Sequence, residues 1–292
     1  MTILVVGDIV TDILALPEGP LAVDSDTAAR VRMTGGGSAA NTAAWIASTQ
    51  TPVTLAGVVG DDDAGATRLA ELAAAGVTCV VRRAEDAATG SVVVLSTGTE
   101  RTMLTDRGAN GLLEPGDVDA ALEGAGHVHL SGYVLFDPAT APAGAHALHV
   151  ARGRALTTSV DAASAAPLAQ LGAEAFFSFV RRADVLFANQ AEARVLTGLE
   201  ASPEKLAVAL LAHASSVVVK CGADGAVWAG ADGSVVTAPA SPVPTVVDQT
   251  GAGDAFAAGY LATWRTGGSP AECLATGARL GALAVTRFGG RP

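Results

Sequence analysis

The chain has 292 residues, half of them hydrophobic, enough to bury the core of one large α/β domain or two modest ones. Its 18 Lys plus Arg against 29 Asp plus Glu leave a net charge of −11, a balance that repels a phosphate backbone and argues against nucleic acid as a partner. No apolar run approaches the roughly 18 residues of a membrane span, and "MTILVVGDIV" lacks the basic start and cleavage site of a signal peptide, so a cytoplasmic protein off the membrane is expected.

In chain order, "TILVVG" (2–7) reads as a buried strand ending at a glycine. Asp8 and Asp12 follow its end, where a carboxylate can hold two neighbouring hydroxyls of a polyol or simply sit solvated in a loop. "TGGGSAANTAAW" (34–45) is a glycine cluster leading into an apolar helix, with Asn41 one turn in. It lacks the lysine of a phosphate-binding P-loop and the spacing of a dinucleotide fingerprint or nucleophile elbow. What remains is a close-approach surface with an amide suited to sugar hydroxyls, or else a tight helix packing.

"PVTLAGVVG" (52–60) repeats the strand pattern, and in 63–76 Leu69, Leu72 and Ala73 share a helical face that Gly76 ends. Residues 12–34 and 89–107 break this alternation with short strands, the second pair joined by a hairpin turn from Thr97 to Glu100. They predict a small separate sheet placed as a lid on a single domain spanning 1–292. Further strands fall at 127–132, 156–161, 184–190 and 216–222, each beside helical sequence, which predicts a mostly parallel sheet with helices on both faces. His127 and His129 on the first of these, and His146 with His149 on a helix, lack a carboxylate or cysteine to complete a metal site. Tyr133 follows a strand end and can touch an acceptor or pack under the lid. Cys79, Cys221 and Cys273 have no CxxC spacing and read as reduced thiols.

Asn189 and Glu192 lie three apart after a strand. They suit the water shell of a Mg²⁺ held on nucleotide phosphates, and Glu192 equally suits the first turn of a helix. "DQTGAGDAFAAGY" (248–260) is the most informative stretch. Phe256, Ala257, Tyr260, Leu261 and Trp264 recur at helical spacing, so a helix begins near Asp254 and its first amides belong to Gly251, Ala252 and Gly253. Such a turn forms an anion-binding nest at a positive helix end. A carboxylate beside it can take a proton from an attacking hydroxyl while the amides carry the charge of a phosphoryl group, or it can merely cap the helix.

The sequence resembles the ribokinase-like (PfkB) carbohydrate kinases over nearly its whole length. "GGSAAN" (36–41) resembles the N-terminal signature of that family and "DQTGAGDAF" (248–256) its C-terminal one. "VGDDDAG" (59–65), "DRGANGLLEPGDV" (106–118), "NQAE" (189–192), "VVVKCGADGAV" (217–227) and "LAVTRFGG" (283–290) fall in the usual order. Val10 and Gln249 depart from the residues common there.

The resemblance implies a ribokinase-like α/β fold with a β-sheet lid, ATP and Mg²⁺ as cofactors, and transfer of the γ-phosphate to a sugar or sugar-derived alcohol. It implies Asp254 as catalytic base, with Gly251, Ala252 and Gly253 as the anion hole. Asp12, Gly36, Gly37 and Asn41 would hold the acceptor. Asn189 and Glu192 would serve Mg²⁺ and phosphates, and Lys220, Gly222 and Gly225 would line the nucleotide. Asp248 and Thr250 would flank a monovalent cation such as K⁺. Apart from the resemblance, the exposed face of the lid suits a homodimer formed through it. A nucleoside acceptor of adenosine or pseudouridine type is the alternative, followed by a non-catalytic sugar-binding regulator; an NAD-dependent enzyme is disfavoured by the missing fingerprint.

Overall fold

A computed structural model describes residues 2–97 and 100–292. In chain order the elements are β1 (Thr2–Val6), β2 (Val10–Pro17), β3 (Ala29–Gly36), α1 (Ser38–Ser48), β4 (Val53–Gly60), α2 (Asp63–Ala74), β5 (Thr78–Ala84), β6 (Gly90–Thr97) and β7 (Glu100–Asp106). Next come α3 (Pro115–Ala121), β8 (Ala125–Ser131), α4 (Ala141–Gly153), β9 (Thr157–Asp161), α5 (Ala165–Leu171), α6 (Ala173–Val180), β10 (Ala183–Asn189) and α7 (Gln190–Thr197). The chain ends with α8 (Pro203–Leu210), β11 (Ala214–Lys220), β12 (Ala226–Gly230), β13 (Val235–Ala238), α9 (Ala252–Trp264) and α10 (Pro270–Val285).

Among the described residues one sheet runs β13-β12-β11-β10-β9-β8-β1-β4-β5, parallel from β11 to β5 and antiparallel at β12 and β13. The strands expected at 2–7, 52–60, 127–132, 156–161, 184–190 and 216–222 are all in it. Strand parity sends Leu4, Val6, Val128, Leu130 and Leu186 to a core under α3 to α8. Ile3, Val5, Leu55, Val185 and Phe187 face a second core under α1, α2, α9 and α10. Each fully buried Leu or Ile contributes about 1.5–3 kcal/mol of transfer free energy. β1 is the switch point: the chain goes from it to β4 and β5 on one side, and β8 to β11 build outwards on the other. Ligands of open parallel sheets sit beyond the strand ends at such a point.

The small sheet runs β3-β2-β6-β7, with β2 and β6 parallel and both outer pairs antiparallel. Register puts Asp12, Val92, Val94 and Met103 on the face toward the cleft, and Ile13, Met33, Val93 and Leu104 on the opposite face. The turn expected between Thr97 and Glu100 lies largely outside the described residues.

Candidate active site

A cleft of about 1240 Å³ opens at the carboxyl ends of β1, β8, β9, β10 and β11, under the small sheet. It is lined by Asp12, Gly37, Asn41, Asn189, Glu192, Lys220, Gly222, Gly225, Thr250, Gly251, Ala252, Gly253 and Asp254. Of the residues expected at a site, Gly36 and Asp248 do not line it: Gly36 lies beneath Asp12, and Asp248 is buried behind the 248–251 loop.

At the centre is the start of α9. Gly251 is its N-cap, with φ 74°, and a Cβ there would come within 2.4 Å of the Gly290 carbonyl oxygen. Among the described residues no side chain caps the helix, and Asp254 in its first turn does not do so. Its carboxylate turns instead to α1: Oδ1 accepts from Ser38 Oγ at 2.9 Å and Oδ2 from Asn41 Nδ2 at 3.0 Å. Burial pushes Asp254 up to about 7, with Asp161 adding to the rise and Asn41, Ser38 and Lys220 opposing it. A carboxylate poised near neutral pH is suited to exchange a proton. The first amides of α9 have no partner within the helix, and that of Ala252 makes only a long 3.3 Å bond to Gln249 O.

The start of α1 is fixed from β1. Asp8 Oδ2 accepts from Ser38 N at 2.8 Å and Oδ1 from Ser131 Oγ at 3.1 Å, so a side chain distant in sequence caps the helix across the switch point. Gly37 has φ 94°, and a Cβ there would lie 2.4 Å from Asp8 O. In β2 the Asp12 carboxylate rests over Gly36, where an added Cβ would meet it at 2.3 Å. Burial pushes Asp12 up to about 6, against the pull of Arg291 and Arg68 and with Asp8 and Asp248 adding to the rise. Asn110 ties the β1–β2 turn in place, accepting from Ile9 N at 2.8 Å and donating to Ile9 O at 2.9 Å.

Toward the other end, Lys220 Nζ donates to Asp161 Oδ2 at 2.6 Å. Burial works against its charge, but Asp161 and Glu192 hold it above the usual lysine range. An added Cβ on Gly253 would sit 3.2 Å from this ammonium, which places Lys220 at the floor of the α9 turn. Asn189 and Glu192 form a capping box on α7: Asn189 N donates to Glu192 Oε2 at 2.7 Å and Glu192 N to Asn189 Oδ1 at 2.9 Å. Burial pushes Glu192 up, with Lys220 opposing. Asp161, Glu192 and Asp254 thus bring three carboxyl groups to one ammonium, a surplus of negative charge that a divalent cation would offset. No group of three or more His, Cys, Asp or Glu among the described residues forms a metal cage by itself.

Gly222 and Gly225 bracket a 3₁₀ turn with positive φ, and a side chain at 225 would strike Ala238 O. Asp248 Oδ1 accepts from Thr250 N and Thr250 Oγ1 at 3.0 and 2.8 Å, and Oδ2 accepts from Gly289 N at 3.1 Å, which orders the loop ahead of α9.

Ser38, Asp161, Asn110, Arg107 and Arg291 also belong to the site, and no local sequence pattern marks most of them. Asp161 had a readable signal, an acid at the carboxyl end of a strand. Arg107 lines the cleft beside Tyr133, whose carbonyl accepts from its Nη1 at 3.0 Å, and its Nε lies 3.8 Å from Asp137. His127 and His129 are buried and bonded to Thr157 and Ser159; burial lowers the first far below the usual range and the second to about 4, so both are neutral core residues. No helix among the described residues is long and apolar enough to cross a membrane.

A family model described as pfkB family carbohydrate kinase matches residues 2–292. An ATP-dependent ribose-1-phosphate kinase of Halopiger xanaduensis is 36% identical over 263 residues, 89% of this chain and 83% of that protein. The crystal structure of adenosine kinase from Sinorhizobium meliloti superposes with a TM-score of 0.89 at 25% identity, over 99% of this chain and 95% of that one. Arabidopsis thaliana ribokinase, solved with ribose and ATP, shares the fold with a TM-score of 0.80 at 23% identity, over 98% and 93%. The chain belongs to the pfkB family of carbohydrate kinases, phosphotransferases that act on a sugar hydroxyl.

Proposed function

We propose that this enzyme transfers the γ-phosphate of ATP to the hydroxymethyl group of a ribose-type acceptor, with Asp254 as general base. The observation that carries the reading is the Asp254 carboxylate. It is raised to about 7, held by Ser38 and Asn41, and set in the first turn of a helix that starts at an uncapped glycine. Asp254 takes the hydroxyl proton, and the Gly251, Ala252 and Gly253 amides with the Lys220 ammonium stabilise the charge on the transferred group. Asp12 and Asn41, over Gly36 and Gly37, orient the sugar hydroxyls. Asn189, Glu192, Gly222 and Gly225 border the nucleotide. Asn189 and Glu192 would serve a Mg²⁺ that accompanies the nucleotide, and the ion would supply further positive charge to the transferred group. K⁺ beside Asp248 and Thr250 would stiffen the loop ahead of α9.

Residues 12–34 and 89–107 close over the acceptor as a lid that excludes water. The outer face of that sheet leaves Val31, Met33 and Leu104 about 60% exposed, which suits a second copy of the chain in a cytoplasmic homodimer. Arg107 in the cleft wall, with the ribose-1-phosphate kinase relative, favours an acceptor carrying an anion. A nucleoside is the second reading, supported by Val92, Val94, Met103 and Phe136 in the same wall and by the adenosine kinase neighbour.

The test is ADP release from ATP and Mg²⁺ with ribose, ribose 1-phosphate, adenosine and hexoses, with and without K⁺. Turnover of a ribose-type acceptor is expected. ADP release with none of them would contradict the proposal.

A further inference from the structure

The segment that follows α10 does more than end a helix. Gly289 N donates to Asp248, Gly290 O accepts from Trp45 Nε1 at 2.9 Å, and Arg291 Nη2 donates to Gly36 O at 2.9 Å. Gly290 lies against the Asn41 amide, where an added Cβ would come within 2.3 Å of Nδ2, and against Gly251. Three residues therefore touch the anion-hole glycine, the amide that holds Asp254 and the glycine under Asp12. The Arg291 guanidinium sits behind the Gly35–Gly36 backbone while the Asp12 carboxylate rests on its front. It also pairs with Glu71 Oε2 at 3.2 Å and is 12% exposed.

We propose that Arg291 is a positioning residue for the acceptor: it pins Gly36 from behind and supplies the charge that keeps Asp12 ready for a diol, while Gly289 and Gly290 hold that turn in register with α9. The inference rests on the reading of Asp12 as an acceptor contact. Asp12 is faced by Arg291 and Arg68, which favour its ionised form, and by Asp8 and Asp248, which oppose it. Arg291 itself, drawn down to about 10 by burial, is charged at neutral pH. Removing it takes away the larger of the two cationic influences, so the Asp12 midpoint moves up from about 6.

Arg291→Met, Arg291→Lys and Asp12→Asn would be compared with the unaltered chain by calorimetric titration of ribose, ribose 1-phosphate and adenosine between about pH 5.5 and 8.5. The tightest of the three serves as probe, and ATP is titrated in parallel. Carboxyl NMR titration of Asp12, assigned through Asp12→Asn, reads the same midpoint without an acceptor.

For Arg291→Met the expectation is acceptor binding about 10-fold weaker at pH 7, ATP affinity within about twofold, and an Asp12 midpoint above that of the unaltered chain. Arg291→Lys keeps the charge and returns the midpoint, but recovers only part of the affinity because an ammonium lacks the planar fork. Unchanged acceptor affinity and midpoint in Arg291→Met, while Asp12→Asn weakens the acceptor, would overturn the inference. So would equal loss of ATP and acceptor binding with a lowered melting temperature and no shift in midpoint. If Asp12→Asn leaves acceptor binding intact, the acceptor reading fails and the role of Arg291 falls with it.

Discussion

Asp254→Asn removes one proton acceptor and almost no volume. A positioned general base contributes about 10²- to 10⁴-fold to rate, so kcat should fall by about 10³-fold while the ATP dissociation constant stays within about threefold. Folding stability should move the other way. A carboxyl raised from 3.8 to about 7 binds a proton in the native state that the unfolded chain has released, so stability falls as pH rises through that window. At 1.36 kcal/mol per unit the full shift is about 4 kcal/mol; the carboxylate is partly open to the cleft, which brings the expected gain on neutralisation nearer 2 kcal/mol.

Asn fits the vacated contacts because Asn41 Oδ1 is buried with no hydrogen-bond partner among the described residues and can rotate to accept from the new amide. Urea unfolding at about pH 8 should show the variant more stable than the parent, with the difference shrinking toward about pH 4. Coupled ADP-release kinetics give the rate. Turnover within about tenfold of the parent would refute the base assignment, and a variant less stable at alkaline pH would refute the stated environment of the carboxyl.

The acid limb of the pH–kcat profile should fall near 7, the value to which burial raises Asp254, with activity lost as pH drops through it; a flat profile down to about pH 5 would contradict this. Gly251→Ala meets both a left-handed φ of 74° and the Gly290 backbone at 2.4 Å, so a loss of about 2 kcal/mol of stability and most activity is expected. Gly253→Ala, whose nearest neighbour is the flexible end of Lys220, should unfold near the parent and lose mainly kcat. Lys220→Met removes the cation opposing the rise in Asp254. It should lower kcat by about 10²-fold and move the acid limb upward, both read from one set of rate profiles.

Most of the parallel sheet was legible because a strand buried on both faces reads as an unbroken apolar run: "PVTLAGVVG" becomes the wholly buried β4. β5 was missed. Its "TCVVRRA" lies half-exposed at the sheet edge and mixes two arginines into the apolar pattern. β13, four residues long and half-exposed, carries too short a pattern to read, and β12 lies directly beyond the glycine turn at 222–225. The glycine turns were legible because positive φ leaves a residue-type signature, as at Gly37 and Gly251. The residues that hold Asp254, Asp12 and Lys220 were less so. Ser38, Arg291 and Asp161 act through contacts 216, 255 and 59 positions apart in sequence, which no local pattern records.

The phosphorus being transferred is expected between the Asp254 carboxylate and the amides at the start of α9. A crystal structure with a non-hydrolysable ATP analogue, Mg²⁺ and the acceptor tests this directly. The expected result is a terminal phosphate about 3 Å from the Gly251, Ala252 or Gly253 amides and an acceptor hydroxyl about 3 Å from Asp254. A terminal phosphate bound away from that turn, with Asp254 still held only by Ser38 and Asn41, would contradict it.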